Sequence, residues 1–95
     1  MPNDLEIFAP RSFSKLTVGQ RDMVLREVSK RLHYMALLAR TFSDKRSNDF
    51  DWLGSKIDEE REDLAADFSE EPEKVVTRAL ELMDDFNREM SGTWH

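Results

Sequence analysis

The feature that most constrains the fold is a helical periodicity in the first half of the chain. Between residues 17 and 42, apolar side chains recur at spacings of three and four, which places them on one face of an α-helix. Thr17 followed by Gln20 is the capping-box pattern that begins helices. The sequence therefore predicts a long amphipathic helix, helix A, over residues 17–42, with a buried stripe of Leu25, Val28, Leu32, Met35, Ala39 and Phe42.

Two further segments repeat this pattern after a polar stretch at residues 43–49, which predicts a loop. Helix B is predicted over residues 50–68, with Arg61 interrupting its apolar face and Ser47, Asn48 or Asp49 as its cap. Helix C is predicted over residues 72–90, and its start is placed at Pro72 because proline suits a first helical turn. We expect one shared core that contains Leu25, Val28, Leu32, Met35, Ile57, Leu64, Met83 and Phe86.

The segment before helix A, residues 1–16, carries five large apolar side chains, too many for a free tail. We expect this arm to lie across the bundle of its own subunit or of a partner. The sequence thus predicts a single all-α domain over residues 1–95, a three-helix antiparallel bundle with an N-terminal apolar arm. A chain of this length buries roughly two-thirds or less of its unfolded surface, so we expect oligomerisation to complete the fold.

Charge is distributed unevenly along the chain, whose formal net charge is −6. Residues 1–48 hold nine Lys/Arg and five Asp/Glu, whereas residues 49–95 hold five Lys/Arg and fifteen Asp/Glu. This polarity favours antiparallel docking of basic and acidic helices, within one chain or between two copies. Because cysteine is absent and the first residues lack a basic, apolar leader pattern, we expect a cytoplasmic protein without a membrane span.

Carboxylates on helices B and C form the first candidate site. Glu59 and Glu62 lie one turn apart, and Glu81 and Asp84 repeat that spacing on the next helix. This layout resembles the all-α NTP pyrophosphatases of the MazG-like group, in which carboxylates from two helices hold Mg²⁺ against the phosphates of a nucleotide. The resemblance covers about a third of the chain and implies, as an alternative function, a nucleotide-binding or Mg²⁺-dependent pyrophosphatase-like protein with these four residues on the metal. A solvated helix face explains the same pattern.

Basic residues form the second candidate, since Arg26, Lys30, His33 and Arg40 line one side of helix A. Weak nucleic-acid binding through helix A is a further alternative. The acidic net charge instead favours pairing of this stripe with the acids of helix B within an oligomer, or simple solvation. His33 is expected at the surface, and with no metal spacing around either histidine we predict no metal, cofactor or catalytic residue.

Apolar residues outside the predicted core are the third candidate. Two of them are Trp and one is Tyr, the residue types that dominate interface hot spots. With three of the basic residues they are the predicted partner-binding candidates: Met23, Tyr34, Leu37, Trp52, Trp94, Arg26, Lys30 and Arg40. The sequence therefore favours a small acidic binding protein of bacterial or phage type rather than an enzyme. We expect it to act as a regulator, inhibitor or immunity factor, in contact with itself and with another protein such as a basic nucleic-acid enzyme.

Overall fold

Three helices form the described part of the chain. The computed structural model describes Phe13 and residues 15–93, with side chains described as far as Met90. The helices are α1 (Val18–Thr41), α2 (Arg46–Ala66) and α3 (Glu71–Thr93), and no strand occurs among the described residues. Each helix runs antiparallel to the one before it, because Arg21 near the start of α1 meets Asp67, and Arg46 at the start of α2 meets Glu89 near the end of α3. The predicted all-α bundle is confirmed.

Helix α1 begins with the predicted capping box. The Thr17 hydroxyl accepts a hydrogen bond from the Gln20 amide at 3.2 Å, and the Gln20 side-chain oxygen accepts one from the Thr17 amide at 3.0 Å. Two backbone donors that a helix start leaves unpaired are thereby satisfied. Phe42, predicted in the buried stripe, instead follows the last helical residue and is 44% exposed.

Helix α2 begins at Arg46 and ends at Ala66, so it starts four residues before the predicted position at Phe50. None of the three predicted caps serves it. The carboxylate of Asp44 instead accepts a hydrogen bond from the Arg46 amide at 2.9 Å. Because the helix ends at Ala66, Phe68, which the sequence predicted as the last residue of helix B, lies outside it and is 65% exposed.

The turn before α3 is organised by its own short side chains. The Asp67 carboxylate accepts from the Ser69 amide at 2.8 Å, and the Ser69 hydroxyl accepts from the Glu71 amide at 3.3 Å. Hydrogen bonding by Ser69, from its side chain and its backbone, lowers the pKa of Asp67. Helix α3 then runs from Glu71 to Thr93 and buries Pro72 in its first turn.

The core joins all three helices and contains every residue predicted for it. Phe50 and Phe86 meet edge to face, with ring centroids 5.5 Å apart and an interplanar angle of 82°. Met35 and Leu64 are half-buried and pack against the centre. The remaining predicted residues are buried: Leu25, Val28, Leu32, Ile57, Met83 and Phe86.

The end of the predicted arm reaches this core, because Phe13 is 2% exposed and Leu16 packs against the buried cluster. Residues 1–12 and residue 14 lie outside the described residues, so the arm as a whole stays a prediction. Within residues 15–93, no helix is both long enough and apolar enough to cross a bilayer.

Candidate partner-binding surfaces

A seam of polar side chains joins α1 to α2 and determines which residues remain at the surface. The buried Ser29 hydroxyl donates to the Gly54 carbonyl at 2.9 Å. One turn along, His33 lies between two carboxylates, with Nδ1 3.1 Å from Asp51 Oδ1 and Nε2 3.3 Å from Asp58 Oδ2. A Cβ at Gly54 would stand 3.0 Å from the imidazole ring, so the absence of a side chain there lets the ring lie against α2. The His33 side chain is 39% exposed, so it lies at the surface as the sequence predicted, but between two carboxylates.

The basic stripe predicted on helix A is largely engaged within the chain. Arg40 is paired with Asp51, and Arg26 lies 3.2 Å from Asp22, which also accepts from Arg61 at 2.8 Å. Arg40 and His33 thus face acids of the second helix within one subunit, whereas Arg26 pairs within its own helix. A stripe whose arginines already face carboxylates is poorly suited to phosphate contacts. Lys30 remains exposed on the outer side of α1.

The four carboxylates of the metal hypothesis do not converge in the subunit. Glu59 and Glu62 are exposed on α2, while Glu81 and Asp84 are exposed on α3. In the part of the chain that the structure describes, no group of three or more His, Asp or Glu residues could hold a metal ion. The fold therefore does not bring together the four carboxylates that the resemblance to the pyrophosphatases implies as metal ligands.

Four of the five apolar residues among the predicted interface candidates are exposed, and they divide between two faces. Met23, Tyr34 and Leu37 are 69%, 60% and 60% exposed, and their spacings of eleven and three put them on one side of α1. Trp52 is 64% exposed on the outer side of α2. Trp94 lies outside the described residues.

The Trp52 surface, which we define as Trp52, Glu59, Glu62 and Asp63, carries one large aromatic ring among carboxylates. Glu59 and Asp63 follow Trp52 by seven and eleven residues and so share its face of the helix. The Lys56 ammonium lies 5.6 Å from the centre of the indole and 3.4 Å from a Glu60 oxygen. A groove of about 260 Å³ between α2 and α3 opens beside the indole.

A larger groove, of about 620 Å³, separates α1 from α3. Its floor is apolar, formed by Met35, Leu80 and Met83, and Tyr34 stands at its edge. Glu81 and Asp84 of α3 line it on one side and Arg31 of α1 on the other. This α1–α3 groove therefore continues the exposed apolar side of α1.

The most deeply buried charge, Arg21, was missed by the sequence analysis. It is 1% exposed; its Nε donates to the Leu16 carbonyl at 3.1 Å and another of its nitrogens donates to the Asp67 carbonyl at 2.9 Å. Its guanidinium carbon lies 4.0 Å from the ring centre of Phe68 and 5.2 Å from that of Phe13. No sequence signal could have identified this residue, because its acceptors are backbone carbonyls, one of them 46 residues away.

A second arginine, Arg46, lies partly buried at the edge of the core and connects the α1–α2 turn to α3. It lies 2.6 Å from Asp44 and 2.7 Å from Glu89, over the ring of Phe86. Hydrogen bonds from the Arg46 side chain and backbone lower the pKa of Asp44 from its ordinary 3.8 to about 2. Asp44, in turn, raises the pKa of Arg46. Both arginines hold the bundle together and leave the two surfaces above as the candidates for binding.

Comparison with protein-family models, with curated proteins and with solved structures found no match. The function is therefore inferred from the surface of the chain itself.

Proposed function

We propose that this chain is a small acidic binding protein that acts in the cytoplasm by protein–protein contact, as a regulator, inhibitor or immunity factor. Its partner is a protein with a basic surface, such as a nucleic-acid enzyme, and it docks on the Trp52 surface. The observation that carries this proposal is Trp52 itself, 64% exposed on a helix face that it shares with Glu59 and Asp63, with Lys56 beside its ring.

The indole supplies the apolar anchor of such a contact. Trp is among the residues most enriched at interface hot spots, because its large rigid ring buries much area at little cost in conformational entropy. The groove beside it gives a partner side chain a place to pack, bordered by Leu64 and Val75. The exposed ring and the partly apolar groove are unfavourably hydrated, so burying them under a partner protein is favourable.

The carboxylates supply the charge selectivity. Among residues 15–90, no lysine, arginine or histidine lies within ion-pair distance of Glu59, Glu62 or Asp63. Like charges four residues apart, as in Glu59 and Asp63, destabilise a bare helix by a few tenths of a kcal/mol. A basic partner relieves that repulsion and is drawn to the face by its field.

Affinity capture from the source cell, followed by measurement with the purified partner, tests this proposal. We expect the chain to retain a basic protein, and Trp52→Ser to lose it, whereas the matched variant Tyr34→Ser on the other face retains it. With Trp94→Phe as background, Trp52 is the only tryptophan, so binding of the purified partner is followed by its fluorescence. Because the contact is partly electrostatic, the dissociation constant should rise steeply with salt.

Retention of the same partner by Trp52→Ser would contradict the assignment of the surface. Capture of acidic partners alone, insensitive to salt and to charge reversal at Glu59 and Asp63, would contradict the assignment of the partner's chemistry.

A further inference from the structure

We propose that the α1–α3 groove is covered by helix α1 of a second copy of this chain, in a two-fold symmetric dimer. The surface involved is separate from the Trp52 surface, so the dimer leaves the proposed partner site open. The shape of the groove, the exposed apolar residues beside it and the charges along its walls favour this dimer.

The groove has the dimensions and lining of a site for large side chains. Its volume of about 620 Å³ lies within the range of roughly 300–1,000 Å³ typical of protein binding pockets. Met35 and Leu80 in its floor remain only half-buried within one subunit. The exposed side chains that need cover, Tyr34 and Leu37, lie on the adjacent outer side of α1. The same helix thus presents both the cavity and the protruding apolar residues.

Because α1 borders a groove and also presents exposed apolar side chains, a second copy of the chain fits the groove better than an unrelated helix does. In a two-fold contact the same patch faces itself, so each subunit must offer both halves of the interaction. When the two α1 helices pack in parallel, about a two-fold axis that runs along them, each one lies over the groove of the other subunit. Its outer edge, which carries Leu37 and Lys30, then faces the other subunit's α3.

Charge complementarity selects the same arrangement. Lys30 is exposed and lies seven residues before Leu37, on the same side of α1. Glu81 and Asp84 line the α3 wall of the groove, which that edge faces. The two-fold operation repeats this basic-to-acidic contact, so the symmetric dimer satisfies it twice.

Sedimentation and light scattering of the full chain at tens of micromolar test the dimer directly. We expect a particle of about twice the chain mass of 11.2 kDa. Tyr34→Lys, at an exposed helical position, should weaken the dimer at least about tenfold because it places a charge at the centre of the contact. The matched variant Trp52→Ser, on the other face, should remain dimeric. Far-ultraviolet circular dichroism should show all variants equally helical.

A charge swap distinguishes this surface from a general effect on association. Lys30→Glu and Glu81→Lys should each weaken the dimer, and the double variant should recover most of the loss because the pair is restored with its signs exchanged. A strict monomer at these concentrations would overturn the proposal. So would a dimer that persists in Tyr34→Lys, or a double variant no tighter than the two single variants.

Discussion

Helices α1 and α2 meet through polar side chains of fixed geometry, whereas α3 is held to them chiefly by apolar burial. Across the first pair, Ser29 donates to the Gly54 carbonyl, His33 contacts two aspartates and Asp22 accepts from Arg61. Across the second boundary, Val76, Ala79, Met83 and Phe86 enter the core, and the Arg46–Glu89 ion pair lies at its end.

This difference separates two ways of fixing a helix. Hydrogen bonds and ion pairs specify which residue stands opposite which, so the register of α1 against α2 is set by individual atoms. The free energy gained by apolar burial depends on the area removed from water and not on the direction of individual contacts. A helix held chiefly by burial can leave gaps beside it, and both candidate grooves border α3.

The largest expected effect comes from removing the apolar hold on α3. Phe86→Ala deletes a ring that is 1% exposed and packed edge-on against Phe50, and should lower the free energy of unfolding by about 3–5 kcal/mol. Urea unfolding followed by circular dichroism measures this, with the half-buried Leu82→Ala as a milder control. Native-state hydrogen exchange should show α3 losing protection before α1 and α2. Equal protection in all three helices would contradict the comparison.

A smaller effect is expected at the polar seam. Gly54→Leu places a side chain where even a Cβ would stand 3.0 Å from the His33 ring, so the ring must leave its two aspartates or α1 and α2 must separate. Overpacking of this kind costs about 1–3 kcal/mol. That cost outweighs the stabilisation of roughly 1 kcal/mol expected when a glycine inside a helix is replaced by a better helix former. The neighbouring exposed Ser55→Leu is the matched control and should be near neutral. A Gly54→Leu protein as stable as that control would show that close approach of the helices matters little.

The smallest effect concerns the ion pair at the α1–α2 turn and depends on pH. Arg46 holds the pKa of Asp44 at about 2, below its ordinary 3.8, so the folded state favours the carboxylate. The stabilisation is therefore complete above pH 3.8 and is lost as pH falls through 2. Asp44→Asn should cost about 1 kcal/mol at neutral pH and flatten the acid limb of the stability curve. The exposed Asp85→Asn should leave that limb unchanged; equal curves for both variants would exclude this role for Asp44.

The sequence predicted what depends on periodicity, and it failed at helix ends and where a contact joins distant residues. Three helices, their core and the outward positions of Tyr34, Leu37 and Trp52 all follow from spacing along one helix. The start of α2 was placed too late, because Asp44 caps it from a position that the polar loop pattern does not distinguish. Arg61 seemed to interrupt an apolar face, yet it pairs with Asp22, 39 residues earlier. His33 gave no signal, since both of its aspartates lie on another helix.

Arg21 has a consequence for which substitutions the chain can tolerate over evolutionary time. Its guanidinium serves two carbonyls and faces two phenyl rings inside a space that excludes water. Lysine has the same charge, but its compact ammonium cannot reproduce a planar fork that bonds at its edges and stacks on its face. Replacement by lysine at this position would therefore act as a radical change, whereas arginine in place of the exposed Lys30 on the same helix would keep the charge at little cost.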